Sequence, residues 1–191
     1  MRANQGNEEV VVAGRSAHEA PSFSVANRLA RVLWNATALL LFRPTPRPLH
    51  AWRSFLLRLF GAKIGRNCHI YPGAKIWAPW NLACGDDCGV ASGATLYNQA
   101  LISIGSRAVI SQGAHLCCGT HNYESRLFEL QAFSISIGAD AWVCAEAFVG
   151  PGVTIGEGAV IGARAVVLKD MPAWTVCGGH PCKPLRPYTR E

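Results

Sequence analysis

Charge is scarce in this chain. Asp, Glu, Lys and Arg make up 16% of its 191 residues, while 50% are hydrophobic. So little charge suits a molecule with one continuous core rather than a solvated polymer. A long apolar run is also missing. The strongest candidate, Val32 to Phe42, is 11 residues long with Asn35 and Thr37 inside it, and a membrane-spanning helix needs about 20. It also stands too late for a secretory leader, behind Glu8, Glu9 and Glu19. Paired CxxC knuckles are absent although there are eight cysteines. Cys84-x3-Cys88 and Cys117-Cys118 do not have zinc-knuckle spacing, and a cored chain of this length needs no disulfide framework. The expectation is free thiols, no metal, and Cys88 serving as a small inward hydrophobe.

What the chain has is a beat of six. Ile137, Val143, Val149, Ile155, Ile161 and Val167 follow one another at that interval, each preceded two residues earlier by Ile135, Ala141, Ala147, Val153, Ala159 and Ala165. Six fits neither a helix nor an ordinary strand. It fits a chain that turns a corner every six residues and sends one aliphatic inward from each flat side, the signature of a hexapeptide β-solenoid. Earlier runs read Ile64, Ile70, Ile76, Leu82, Cys88, Ala94 and then Ile104, Ile110, Leu116. The breaks between runs predict a small insertion before Ile104 and a protruding loop over about 119–134. Asn67, Gly73, Gly85, Gly113, Gly152 and Gly158 stand at corners where positive φ is needed. The predicted fold class is therefore an all-β solenoid, a parallel β-helix over 61–176. It would be preceded by a disordered tail (1–22) and a helical arm (23–60), and followed by a basic tail (177–191).

The net charge of +6 is unevenly spread. Residues 1–60 hold eight Arg and three Glu, so the basic character belongs to the arm, which argues against a nucleic-acid groove on the solenoid. Trp52, Phe55, Leu56 and Leu59 fall on one helical face, with Arg53 and Arg58 off it. Two readings stand for this arm. It caps the open end of the solenoid or packs subunits, or it lies on anionic lipid as an amphipathic element.

Chemistry is expected where the beat breaks, since loops carry irregular polar groups. The main break contains Thr120-His121-Asn122-Tyr123. His121 is the candidate general base, because imidazole takes and returns protons near neutral pH. His69 and His115 read as solvated corner residues.

The repeat, Thr120-His121, Ala141-Trp142-Val143, and Gly179-His180-Pro181-Cys182-Lys183 together resemble the hexapeptide-repeat acyltransferases, which include galactoside and maltose O-acetyltransferases. Leu41-Phe42-Arg43-Pro44-Thr45-Pro46, Ile76-Trp77-Ala78-Pro79-Trp80-Asn81 and Glu146-Ala147-Phe148-Val149-Gly150-Pro151 resemble more closely the colanic acid biosynthesis acetyltransferases of exopolysaccharide clusters. The resemblance implies a left-handed β-helix, an exception to the right-handed crossover preference, assembled as a homotrimer with sites between subunits. It implies transfer of acetyl from acetyl-CoA to a sugar hydroxyl by direct attack on the thioester, in a cytoplasmic enzyme. By motif, His121 is the base and Trp142, Ala145, Ala163, Lys169, Lys183 and Arg186 bind the cofactor. The phosphate role also suits a tail bearing Lys183, Arg186 and Arg190.

The chain departs from that pattern at the acceptor side. Galactoside and maltose enzymes carry Asn where this chain has Ala91, so a free simple galactoside is not the expected acceptor. Tyr97, Asn98 and Tyr123 are the candidate substitutes. An exopolysaccharide precursor or lipid-linked sugar fits better, and a basic aromatic arm would hold the enzyme at the inner face of the membrane. Alternatives are N-acetylation of an amino sugar, a metal site of γ-carbonic-anhydrase type built from His69, His115 and His121, and a non-catalytic trimeric scaffold.

Overall fold

The computed structural model describes residues 22–190, together with the backbone of residues 9–11; apart from these and Ser22, the predicted disordered tail lies outside the described residues. The core is a three-sided prism of parallel strands. The first face stacks Lys63–Ile64, Leu82–Cys84, Ile102–Ile104, Ile135–Ile137 and Thr154–Ile155. The second stacks His69–Ile70, Gly89–Val90, Val109–Ile110, Trp142–Val143, Val160–Ile161 and Thr175–Gly179. The third stacks Lys75–Ile76, Thr95–Tyr97, His115–Cys117, Phe148–Val149 and Val166–Val167. Each strand is too short to bury a core alone, so coil-on-coil stacking supplies the stability.

The six-residue beat is the inside of this prism. Every beat residue from Ile137 to Val167 is buried, and so is every partner two residues earlier. The frame assigned to the second coil needs correction. Ile64 stacks on Cys84 and Leu96 on Ile76, so the beat there runs Cys84, Val90, Leu96, while Leu82, Cys88 and Ala94 hold the preceding inward position. The shift arises at Pro79–Asn81, a 3-10 turn that adds residues to the corner between the third and first faces. All the insertions leave at this one corner. On the coil above it is Asn98 to Leu101, and then the large loop, which folds into antiparallel strands Gly119–His121 and Leu130–Phe133. Glu9–Val11 adds a third strand beside Leu130–Phe133, so this part of the tail expected to be disordered is ordered by backbone pairing.

Corner residues follow two rules. Asn67, Gly113, Gly152 and Gly158 have positive φ as expected, but Gly73 and Gly85 do not. Gly85 is small for another reason, because a Cβ would lie 2.7 Å from the Ser106 nitrogen of the next coil. All eight cysteines are free thiols, and six are buried. Burial pushes Cys84 and Cys118 up to about 12.

The arm comprises helix α1 (Val25–Thr37), capped by Ser24 Oγ accepting from Asn27 N. A π-helical turn continues it to Phe42, and helix α2 (His50–Leu59) follows. Trp34 anchors α1, burying its ring and donating Nε1–H to Ile76 O at 2.7 Å. The apolar face predicted for α2 is split. Leu56 and Leu57 cover the first coil, whereas Trp52, Phe55 and Leu59 face outward and Arg53 is fully buried. Arg53 can turn inward because carbonyls solvate it: Nε donates to Ile70 O, Nη1 to Thr45 Oγ1 and Pro46 O, and Nη2 to Arg47 O. The buried side of the arm is thus the end cap of the solenoid.

The predicted boundary after residue 176 also moves. Thr175–Gly179 turns back through Cys182–Pro187 as an antiparallel hairpin, and Tyr188 OH donates to Gly158 O. Residues 177–190 are part of the folded prism.

Candidate functional site

His121 ends the first strand of the large loop, beside the corner between the third and first faces. Its Nδ1 lies 2.9 Å from Phe128 O, and its ring stacks on the Phe128 ring at 4.4 Å with 7° between planes. A carbonyl only accepts, so Nδ1 carries the proton and, in the neutral ring, Nε2 carries the lone pair. Phe128 adopts φ 46°, a left-handed conformation that costs energy in a bulky residue. That conformation closes the turn from Ser125 and aims both the Phe128 carbonyl and its ring at His121. Phe128 was not a sequence candidate. No motif marks it; its role comes from a backbone conformation.

Tyr97 lies at the base of the same loop. Its carbonyl accepts from Cys118 N, and its hydroxyl accepts from Gln99 Nε2 at 2.9 Å. It also lines a groove of about 190 Å³ between α1 and the third face, with Asn35, Arg43, Lys75 and Thr95. Tyr123 is exposed in the loop. Asn98 is a correction. It is fully buried, its Oδ1 accepts from Trp77 N and Ala78 N, and its Nδ2 donates to Ala78 O and Asn81 O. Every polar atom of that side chain is spent holding the corner, so none remains for a ligand.

The remaining candidates divide between corners. Trp142 is half exposed on the second face, and its indole Nε1–H donates to Ser111 Oγ at 2.8 Å. The hydroxyl of Ser111, another residue missed in the sequence, holds the indole N–H while the ring stays half exposed. Ala145 and Ala163 stack one above the other between the second and third faces, joined through Arg164 N donating to Ala145 O. Ala91 lies at this same corner, two coils below Cys144. Lys183 and Arg186 are exposed on the C-terminal hairpin of the second face. Arg190 is committed elsewhere, pairing with Asp140 at 2.8 Å beside Arg107. Lys169 is exposed beyond the third face, on the corner from which the His121 loop also leaves. One chain therefore places Trp142, Ala145, Ala163, Lys183 and Arg186 along the second face and its corner with the third, and His121, Tyr97 and Lys169 toward the corner between the third and first faces.

His69 and His115 are not corner residues. Each is the outward residue of a strand, His69 on the second face and His115 on the third. His69 stacks on His50 at 4.8 Å, and His115 meets Phe148 edge-on. Burial and the neighbouring Lys75 lower the pKa of His115. With His121 in the loop, the three imidazoles occupy three different parts of one chain. Among the described residues no three His, Cys, Asp or Glu side chains gather as a metal site.

Comparison with known proteins supplies relatives for this arrangement. The bacterial transferase hexapeptide (six repeats) family matches residues 134–169. The Escherichia coli K12 protein assigned as colanic acid biosynthesis acetyltransferase WcaF is 45% identical over 164 residues, covering 86% of this chain and 90% of that one. Galactoside O-acetyltransferase of the same organism is 29% identical over 137 residues, covering 70% and 68%. A hexapeptide-repeat acetyltransferase of Vibrio cholerae, solved with acetyl coenzyme A, superposes with a TM-score of 0.79 at 23% identity over 89% of this chain and 93% of that one.

Proposed function

The chain belongs to the hexapeptide-repeat acetyltransferases, and from that premise we propose that it moves acetyl from acetyl-CoA to a sugar hydroxyl of an exopolysaccharide precursor or lipid-linked glycan, with His121 as general base. The observation that carries this reading is the His121–Phe128 pair. Nδ1–H on the Phe128 carbonyl leaves Nε2 bare, and the stacked ring holds the imidazole in one orientation. Nε2 takes the acceptor hydroxyl proton as the oxygen bonds to the acetyl carbonyl carbon. The carbon–sulfur bond then breaks, and the imidazolium returns the proton to the departing thiolate.

The cofactor reading rests on the second corner. Trp142 offers its half-exposed ring for the pantetheine arm, Ala145 and Ala163 leave the backbone accessible, and Lys183 and Arg186 suit the phosphates. These groups and His121 lie on different corners of one prism, so a complete site joins two copies, and a closed trimer gives each copy one such junction. Lys169 would then come from the copy that supplies His121. Tyr97 and the groove beside it are the acceptor side, and Tyr123 can close over it from the loop.

The test is subunit complementation. His121→Ala and Trp142→Ala proteins are each assayed alone, then after co-assembly. Shared sites predict that mixed assemblies regain a fraction of wild-type rate that neither parent has. Mixtures no more active than their parents would contradict a site between copies.

A further inference from the structure

The outward side of the arm is apolar where a solvated helix should be polar. Val25, Leu29, Val32, Leu33, Leu39 and Leu40 are each 60% exposed or more and follow one side of α1 and its π-helical extension. The exposed side of α2 continues that surface. The Trp52 indole donates to Leu41 O at 2.9 Å, the Trp52 and Phe55 rings lie 5.7 Å apart, and Leu59 stands exposed a turn further on. Monomeric proteins rarely leave so much contiguous apolar surface without a partner.

Charge identifies the partner. From Ala20 to Gly85 there is no Asp or Glu. The cations at the edge of the apolar surface, Arg28, Arg43 and Arg47, are exposed, with no carboxylate in that stretch to pair with them. A second copy applying the same face would set arginine against arginine. No described helix is long and apolar enough to cross a membrane, so the arm can lie on a bilayer but not span it. Exposed Trp and Phe beside Arg, around an aliphatic strip, is the chemistry of a helix resting at the headgroup boundary.

We propose that the outward face of α1, its π-helical turn and α2 docks on an anionic phospholipid surface. The inward face of the same helices caps the solenoid, so one segment seals the core and holds the enzyme on the bilayer. Each exposed arginine strengthens attraction to an anionic leaflet, and Trp52, Phe55, Leu59 and the α1 leucines enter the boundary layer. In a parallel assembly of copies, the caps would share one end of the particle, and their attachments would reinforce one another.

Flotation of the full chain with vesicles tests the proposal. Wild type, Trp52→Ser/Phe55→Ser/Leu59→Ser and Arg43→Glu/Arg47→Glu proteins are incubated with vesicles of phosphatidylglycerol and phosphatidylcholine in equal parts, or of phosphatidylcholine alone. Circular dichroism confirms folding, and light scattering gives the mass of each protein in solution. All three positions of the apolar variant are exposed, so its fold should persist. Docking predicts that wild type floats with the anionic vesicles and that each variant partitions at least about tenfold less. Wild type that stays at the bottom of the gradient, or variants that float as it does, would overturn the proposal. An apolar variant with a smaller assembly mass than wild type would also overturn it, because the face would then belong to another copy. The readout needs no acetyl transfer, so it stands apart from the test of the proposed reaction.

Discussion

Replacing Arg53 should undock the arm. This side chain is fully buried, has no carboxylate partner, and satisfies Ile70 O, Thr45 Oγ1, Pro46 O and Arg47 O through contacts of 2.5–2.9 Å. Arg53→Met keeps most of the volume and removes the charge, but strands the acceptors. Ile70 O keeps its 3.0 Å contact with His50 Nδ1, so three acceptors lose their donor, and at about 1 kcal/mol each the loss is about 3 kcal/mol. Arg53→Lys should recover less than half, since an ammonium cannot reproduce the fork. The assay is urea unfolding followed by tryptophan fluorescence, because Trp34 and Trp52 report the arm. Limited proteolysis across the 44–48 segment adds a direct measure of undocking. If Arg53→Met were as stable and as resistant as wild type, the carbonyl-solvation account of the buried charge would be wrong.

Other outcomes follow from the same geometry. Gly138→Ala should destabilise by about 3 kcal/mol, the upper end of overpacking costs, because its Cβ would stand 2.5 Å from the Glu157 nitrogen of the next coil; urea midpoints check it. Burial and Lys75 lower the pKa of His115 from its usual 6.5, so the unfolded chain binds its proton first. Its contribution to stability is present above about pH 6.5 and is lost as pH falls below that value, and His115→Phe should flatten the fall in melting temperature between about pH 7 and 5. Cys84 and Cys118, pushed up to about 12 by burial, should resist iodoacetamide at about pH 8 until denaturant opens the coils. Phe128→Ala should lower kcat about tenfold to a hundredfold with little change in KM, because it frees the imidazole to turn; steady-state kinetics separate the two.

The prism was legible because its rule is local. A chain turning every six residues must place an aliphatic inward each time, and Ile137 to Val167 do so without a break. The frame slipped in the second coil because Leu82 and Cys84 both point inward, so an insertion of two residues leaves the hydrophobic pattern intact. The burial of Arg53 was hidden for a different reason. Hydropathy treats Arg53 as a surface residue, and only the fold of the 44–48 segment supplies the carbonyls that let it turn in. Asn98 looked like a free polar group for the same reason, as its partners Trp77, Ala78 and Asn81 come from the coil below. His121 was a candidate because it stands where the beat breaks. Phe128 and Ser111, which hold His121 and Trp142, could not be found, since a left-handed φ and a contact between coils have no signature in the sequence.

The central claim is that His121 Nε2 removes a proton from a glycan hydroxyl. The most direct measurement is thiol release from acetyl-CoA by wild type and His121→Ala, over a panel of free galactosides, amino sugars, nucleotide sugars and lipid-linked glycans, with cofactor binding measured in parallel. The account predicts a glycan-dependent rate in wild type that falls at least about 10²-fold in the variant while acetyl-CoA still binds. A variant that binds acetyl-CoA and acetylates the same glycan at the wild-type rate would contradict it.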